Sequence, residues 1–501
     1  MNTKYHFSGE QRQYETTLRQ FTLDELLKQI NKESVRLLYD NNRDHQAMKA
    51  VHVPIMQLST KRIENKDVFI TAWELIDLAY NAICATNDYR GKIPDRNELY
   101  MLCAETGALI ERRETVFLDK IHLTPSFFFF LWGFSGEQFK MQTISSVFQN
   151  AARELYIIIE LSKKILHIDY SSVIQQETGV TWQVLISSLL LAWFGFLHSD
   201  NLEDLKASIQ WDAEFKKEDF EKVIDRYTAD YREIKYSSLK RQIFYTKPFV
   251  KTQRRETISI SVYLNLLIYE HSVFWAIRDH YKKIHSGEFF HAYGTLYEAY
   301  FQEVLDRYVE KDMYKRIEEN KKDERADWEL QLYDYHFLIE QKSSLIDLIA
   351  KQQESSYENI EKYAQKTIIK ALHQLRSTEQ DLGDTKYIKI VLLYEDYLVP
   401  EILDSIFSLA ECDVENDHYY WIVTIEDMEK LLFTYKHDRN ICAKILKEKI
   451  QREEEKSKDG KRLQVLFSKY GINENLHLKQ KDINYYENAA MRFIRRRMQQ
   501  E

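Results

Sequence analysis

Apolar side chains in the first half of the chain recur every three to four positions, the spacing that gives a helix one buried face. Such stretches cover residues 23–38, 68–85, 98–110, 139–165 and 220–231. They predict a large all-α body spanning residues 1–240. Residues 181–198 are almost continuously apolar, with Leu189, Leu190, Leu191, Ala192, Trp193 and Phe194 in a row. Ser187 and Ser188 interrupt the run, and Asp200, Glu203 and Asp204 follow it. It therefore reads as a core helix rather than a membrane span of ~20 residues. The aromatic run from Phe127 to Trp132 likewise reads as core, or as a docking surface between domains.

The pattern changes after residue 285. Tyr293, Leu296, Tyr297, Tyr300, Phe301, Val304, Leu305 and Tyr308 form the apolar stripe of a helix over 289–309, with Glu298 in its middle. Two short runs follow, over 325–332 and 337–342, that read as strands. A tight reversal at Tyr333-Asp334 pairs them antiparallel and sets Asp327 opposite Glu340. Ile360, Ala364, Ile368, Ala371, Leu372 and Leu375 then mark another helix. Its other side carries Lys362, Lys366, Lys370 and Gln374 as one stripe. Strands over 387–394 and 420–424 come next, and charged helices over 439–452 and 479–499 close the chain. The expected fold is α+β and multidomain: a helical domain at 1–240, a junction at 241–284, an α/β unit at 285–430, and a helical C-terminal extension at 431–501.

Positions two apart in a strand share a face, so Glu340 and Lys342 point the same way at the end of an apolar run. A carboxylate and an ammonium there are costly unless something uses them. Asp327, across the hairpin, brings a second carboxylate whose Cβ lies roughly 5 Å from that of Glu340. Two carboxylates on one face suit a hard divalent cation, and a lysine beside them can position water. The plainer alternative is an exposed ion pair on an edge strand.

Together, Gly294-Thr295-Leu296-Tyr297-Glu298, Asp327, Glu340-Gln341-Lys342 and a helix bearing Gln374 resemble the PD-(D/E)XK, or restriction-endonuclease-like, nuclease superfamily across residues 285–425. The resemblance implies a restriction-endonuclease-like core that holds Mg²⁺, or Mn²⁺ as a substitute, through Glu298, Asp327 and Glu340. It gives Lys342 the role of orienting the attacking water and makes Gln374 a supporting catalytic residue. Ala326 stands where the family often has Pro, and Gln341 where it usually has an apolar residue. The implied activity is a metal-dependent endonuclease acting on nucleic acid, DNA ahead of RNA. Such units occur in bacterial restriction and antiphage-defence effectors, which gives the helical half the task of sensing a phage-derived or protein trigger. An RNA- or tRNA-cleaving toxin would use the same site. A non-catalytic helical scaffold for a protein partner would use none of it.

Composition bears on compartment and partner. The 501 residues include only 12 Gly and 5 Pro, which favours long helices and substantial cores. Cys84, Cys103, Cys412 and Cys442 have neither zinc nor disulfide spacing, and residues 1–10 carry no secretory signal. A cytoplasmic chain with reduced thiols and no membrane partner is expected. A net charge of −9 excludes a generally basic surface, so nucleic acid must meet a local patch. Residues 235–255 offer one, with Lys235, Lys240, Arg241, Lys247, Lys251, Arg254 and Arg255 and no acidic residue. Tyr245 and Phe249 in that segment are candidates to stack on bases. Lys362, Lys366 and Lys370 make a second patch, and Arg492, Arg495, Arg496 and Arg497 a third. The charged C-terminal helices are candidates for contacts in a homo-oligomer.

Overall fold

With few glycines and prolines to break them, most described segments fold as helices, and the protein is mixed α+β and mostly helical. The computed structural model describes residues 10–40, 48–57, 62–85, 91–118, 144–318 apart from 210 and 214, 325–343, 364–394 apart from 384, 420–455 and 462–480. The predicted aromatic run at 127–132, Cys412, Lys362, most of the predicted helix at 479–499 and the arginine-rich tail lie outside these residues.

The first half contains α1 (Leu23–Asp40), β1 (Met48–Gln57), β2 (Arg62–Thr71), α2 (Ala72–Ala85), α3 (Arg96–Leu118), α4 (Ile144–Leu155) and α5 (Trp182–His198). The β1–β2 hairpin corrects the all-α expectation; it pairs antiparallel from Met48↔Thr71 to Gln57↔Arg62. Val51, Val53 and Ile55 alternate with the period of a strand. The helix predicted from residue 68 begins at Ala72, and a reciprocal cap explains the boundary. The Glu74 N–H donates to Thr71 Oγ1, while the Thr71 N–H donates to Glu74 Oε2.

A second correction lies at the predicted junction. β3 (Thr228–Asp230), β4 (Phe249–Lys251) and β5 (Thr257–Ser259) form a three-stranded sheet, parallel then antiparallel. Tyr245 and Phe249 are buried in the core, so neither stacks on a base. α6 (Val262–Lys283) follows, buried through most of its length and seated against α4 and α5. No single helix among the described residues is long and apolar enough to cross a membrane. The apolar α5 is instead covered by protein.

α7 (Glu288–Tyr308) buries all eight residues of its predicted stripe. After it come β6 (Tyr314–Arg316), β7 (Trp328–Leu332), β8 (Tyr335–Lys342), α8 (Lys370–Leu382), β9 (Ile388–Leu393) and β10 (Tyr420–Thr424). The sheet order is β10-β9-β8-β7-β6, with β6, β7 and β8 antiparallel and β8, β9 and β10 parallel. Parallel neighbours need a crossover, and α8 lies on the β8-to-β9 connection, packed on both strands. β9 is buried on both faces, which explains why it is apolar except at Lys389, whose ammonium donates to Glu379 on α8 at 2.7 Å.

α9 (Ile425–His437) and α10 (Arg439–Glu454) complete the described architecture with the short C-terminal helices. Arg153 on α4 grips Glu429 on α9 through two bonds of 2.7 Å, fork to fork, and both side chains are fully buried. The Tyr300 hydroxyl on α7 and the Asn475 amide also donate to Glu429. Burial pushes the Glu429 pKa up, but the Arg153 guanidinium outweighs it and holds the carboxyl below its ordinary value. Buried residues from Tyr14 to Phe467 form one continuous cluster, so the helical half and the five-stranded sheet share a core.

Candidate active site

The β7–β8 hairpin closes through the two residues Tyr333-Asp334, pairing Leu332 with Tyr335 and Trp328 with Ile339. Tyr333 takes the left-handed conformation, φ +56°, which is rare for a bulky residue. Its ring sits edge-on to Tyr435, and its hydroxyl donates to the Arg439 carbonyl at 2.6 Å. The ladder ends at Trp328↔Ile339, one pair short of the predicted Asp327–Glu340 pair. The Asp327 N–H donates to the Ile339 carbonyl at 3.0 Å, and the Asp327 carboxylate accepts the Gln341 N–H at 2.6 Å. Its side chain is therefore held along the end of β8. Ala326 has the N–H that a proline would lack, and it donates that N–H to Thr378 Oγ1 on α8 at 2.8 Å.

Lys342 and Glu340 share a face and pair at 2.5 Å. The Lys342 ammonium also donates to Gln374 Oε1 at 2.9 Å, and Gln374 Nε2 donates to the Arg325 carbonyl at 3.3 Å. Gln374 thus braces the lysine between the crossover helix and the start of β7. Gln341 points to the other face and is buried there. Its Oε1 accepts from the Trp328 indole at 2.6 Å and its Nε2 donates to the Tyr297 carbonyl at 3.3 Å. A polar residue in a buried strand is tolerated because both ends of its amide are satisfied.

Glu340 is 3% exposed, and its Oε2 is buried without a hydrogen-bond partner. Burial, and then the charge of Asp327, push its pKa up to about 8 in spite of Lys342. Asp327 is raised to about 6. Burial dominates there, against the Gln341 N–H; Glu298 adds to the shift, while Lys342 and Arg316 oppose it. One ammonium does not balance two desolvated carboxylates. The pair needs a proton or a further cation, and the orphaned Glu340 oxygen suits either.

Glu298 on α7 is partly exposed and pairs with Arg316 of β6 at 2.5 Å. Among the described residues, no three His, Cys, Asp or Glu side chains converge on one point as a metal-holding group. The buried Glu340 and the half-buried Asp327 are the centre of the site, and Glu298 stands at its margin. Sequence reasoning missed Arg316, because it lies in a polar stretch without periodicity.

The predicted basic residues divide into two groups. Lys366 and Lys370 are exposed on the helical segment that carries Gln374. Lys247 pairs with Glu233 at 2.5 Å, and Lys251 lies 3.8 Å from Glu203, so both seat their segment on acidic neighbours. Arg254 and Arg255 are exposed beside them. No protein-family model, curated protein or solved structure matches the chain.

Proposed function

We propose that this chain is a metal-dependent nuclease hydrolysing phosphodiester bonds of nucleic acid, with DNA favoured and defence against phage as its setting. The observation that carries the reading is the grouping of the buried Glu340 with the half-buried Asp327 and Lys342 at the end of one hairpin, braced by Gln374. The order α7, antiparallel β6 to β8, α8 and parallel β9 supports a restriction-endonuclease-like core.

Asp327 and Glu340 would hold Mg²⁺ or Mn²⁺, with Glu298 as a third ligand; the ion would neutralise phosphate oxygens and acidify bound water. The remaining work belongs to the protein. Lys342 presents an ammonium where it can hydrogen-bond the attacking water and offset negative charge growing around phosphorus. Gln374 fixes that ammonium in place. Burial of Glu340 limits its contact with bulk water and would make it exchange a proton for a cation. Lys366 and Lys370 would meet flanking phosphates. The helical half, tied to α9 through Arg153 and Glu429, would sense a trigger.

The test is incubation of the purified protein and Lys342→Ala with plasmid, single-stranded DNA and RNA, in Mg²⁺, Mn²⁺ or EDTA. The expected result is cation-dependent cutting of DNA, reduced about 10²-fold or more by Lys342→Ala. Cutting of RNA alone would reassign the substrate to an RNA-cleaving toxin. Cutting indifferent to cations, or undiminished in Lys342→Ala, would overturn the reading.

A further inference from the structure

Arg316 ends β6 and reaches back to Glu298 on α7. The guanidinium is 56% exposed and the carboxylate 30% exposed. Arg316 also lowers the pKa of Asp327, so its charge is felt inside the site as well as at the surface. Glu298 in turn raises both Asp327 and Glu340, which puts it within electrostatic reach of the buried pair. With Glu298 held by Arg316, no three carboxylates converge among the described residues. An exposed ion pair of this kind is weakly held. A guanidinium matches two oxygens of a phosphodiester as well as it matches those of a carboxylate.

Resting on the nuclease reading, we propose that Arg316 is a phosphate-binding residue whose guanidinium is occupied by Glu298 in the free protein. A backbone phosphate displaces Glu298 from Arg316, and the released carboxylate joins Asp327 and Glu340 around the divalent cation. Nucleic acid and cation then tighten each other's binding, because each favours the arrangement the other needs. The ligand is the sugar–phosphate backbone, not a base, since the recognising group is a lone guanidinium at the margin of the carboxylate site.

The test uses full-length protein, Mn²⁺ calorimetry and a phosphorothioate duplex that resists cutting. In the parent, the duplex is expected to tighten Mn²⁺ binding about two- to fivefold, the range an exposed pair can supply. Arg316→Gln should bind the duplex more weakly in EDTA, with a salt slope flatter by about one contact. It should also bind Mn²⁺ more tightly without duplex, and lose the effect of duplex on Mn²⁺. That gain should vanish in a Glu298→Gln background, because the residue to be released is gone. A gain that persists there would make Arg316 only a nearby charge and overturn the proposal, as would unchanged duplex binding. If the parent binds no Mn²⁺, the nuclease reading falls and this one with it. If the parent binds Mn²⁺ and Arg316→Gln matches it throughout, this proposal alone falls.

Discussion

Loading the site with Mn²⁺ at pH 7 is expected to release about one proton. Both carboxyls must be ionised to hold the cation, so binding displaces whatever protons they carry. With a pKa of about 8, Glu340 is roughly nine-tenths protonated at pH 7, and Asp327, at about 6, roughly one-tenth. The two contributions come to about one proton. At pH 9 release should fall to about a tenth of a proton, and near pH 6 it should rise to about one and a half. The apparent affinity for Mn²⁺ should therefore climb about tenfold per pH unit between 6.5 and 7.5 and level off above 8. Calorimetry in two buffers of different ionisation enthalpy counts the protons directly. An affinity flat from pH 6 to 8, or release near zero at pH 7, would refute the idea that burial and Asp327 keep Glu340 protonated.

The same shift sets a stability cost in the absence of cation. A carboxyl raised from 4.5 to about 8 keeps its proton in the folded chain after the unfolded chain has lost its own. Stability should thus fall as pH rises from about 4.5 to about 8, by roughly 5 kcal/mol in all at ~1.4 kcal/mol per unit. Glu340→Gln removes that cost at pH 9 but leaves Lys342 without its carboxylate, an offset of about 3 kcal/mol. A net gain of ~2 kcal/mol should raise Tm by about 2 °C in a chain of this length. A Tm several degrees lower would contradict the account. Arg153→Ala strands the buried Glu429 carboxylate and should cost about 3–5 kcal/mol, lowering Tm by about 3–5 °C; an unchanged Tm would mean the pair is not sealed from water. Lys366→Ala with Lys370→Ala should weaken nucleic-acid binding and flatten its salt slope by about two contacts. An unchanged slope would take that helix off the substrate path.

The parts of the fold that sequence revealed are those where one periodicity ran unopposed. The stripe from Tyr293 to Tyr308 could only be a helix face, and all of it is buried. The hairpin register followed from turn position, because a two-residue reversal at Tyr333-Asp334 sets Leu332 opposite Tyr335 and fixes each pair up to Trp328 and Ile339. The β1–β2 hairpin escaped because apolar residues beyond Val68 continue into α2 and disguise the strand that precedes it. Strands of three residues, β3 to β5, are too short to show a period. The basic count over 235–255 made Tyr245 and Phe249 read as stacking groups for bases, whereas with Val250 they tie that segment into the core.

At the site, Asp327, Glu340, Lys342 and Gln374 were legible because two adjacent strands and one amphipathic helix bring them together. Arg316 was not, since its pairing with Glu298 is set by how α7 and β6 lie in space. The Arg153–Glu429 pair was hidden for a similar reason: it joins residues 276 positions apart, and no local pattern marks either one.

Plasmid cleavage by Glu340→Gln, compared with the parent in Mg²⁺ and in EDTA, tests the central claim most directly. The parent should nick or linearise the plasmid in Mg²⁺ and leave it intact in EDTA, while the folded Glu340→Gln protein should lose the Mg²⁺-dependent cutting by about 10²-fold or more. Equal cutting by the two proteins in Mg²⁺ would show that the Asp327–Glu340 carboxylate pair is not where the bond is broken.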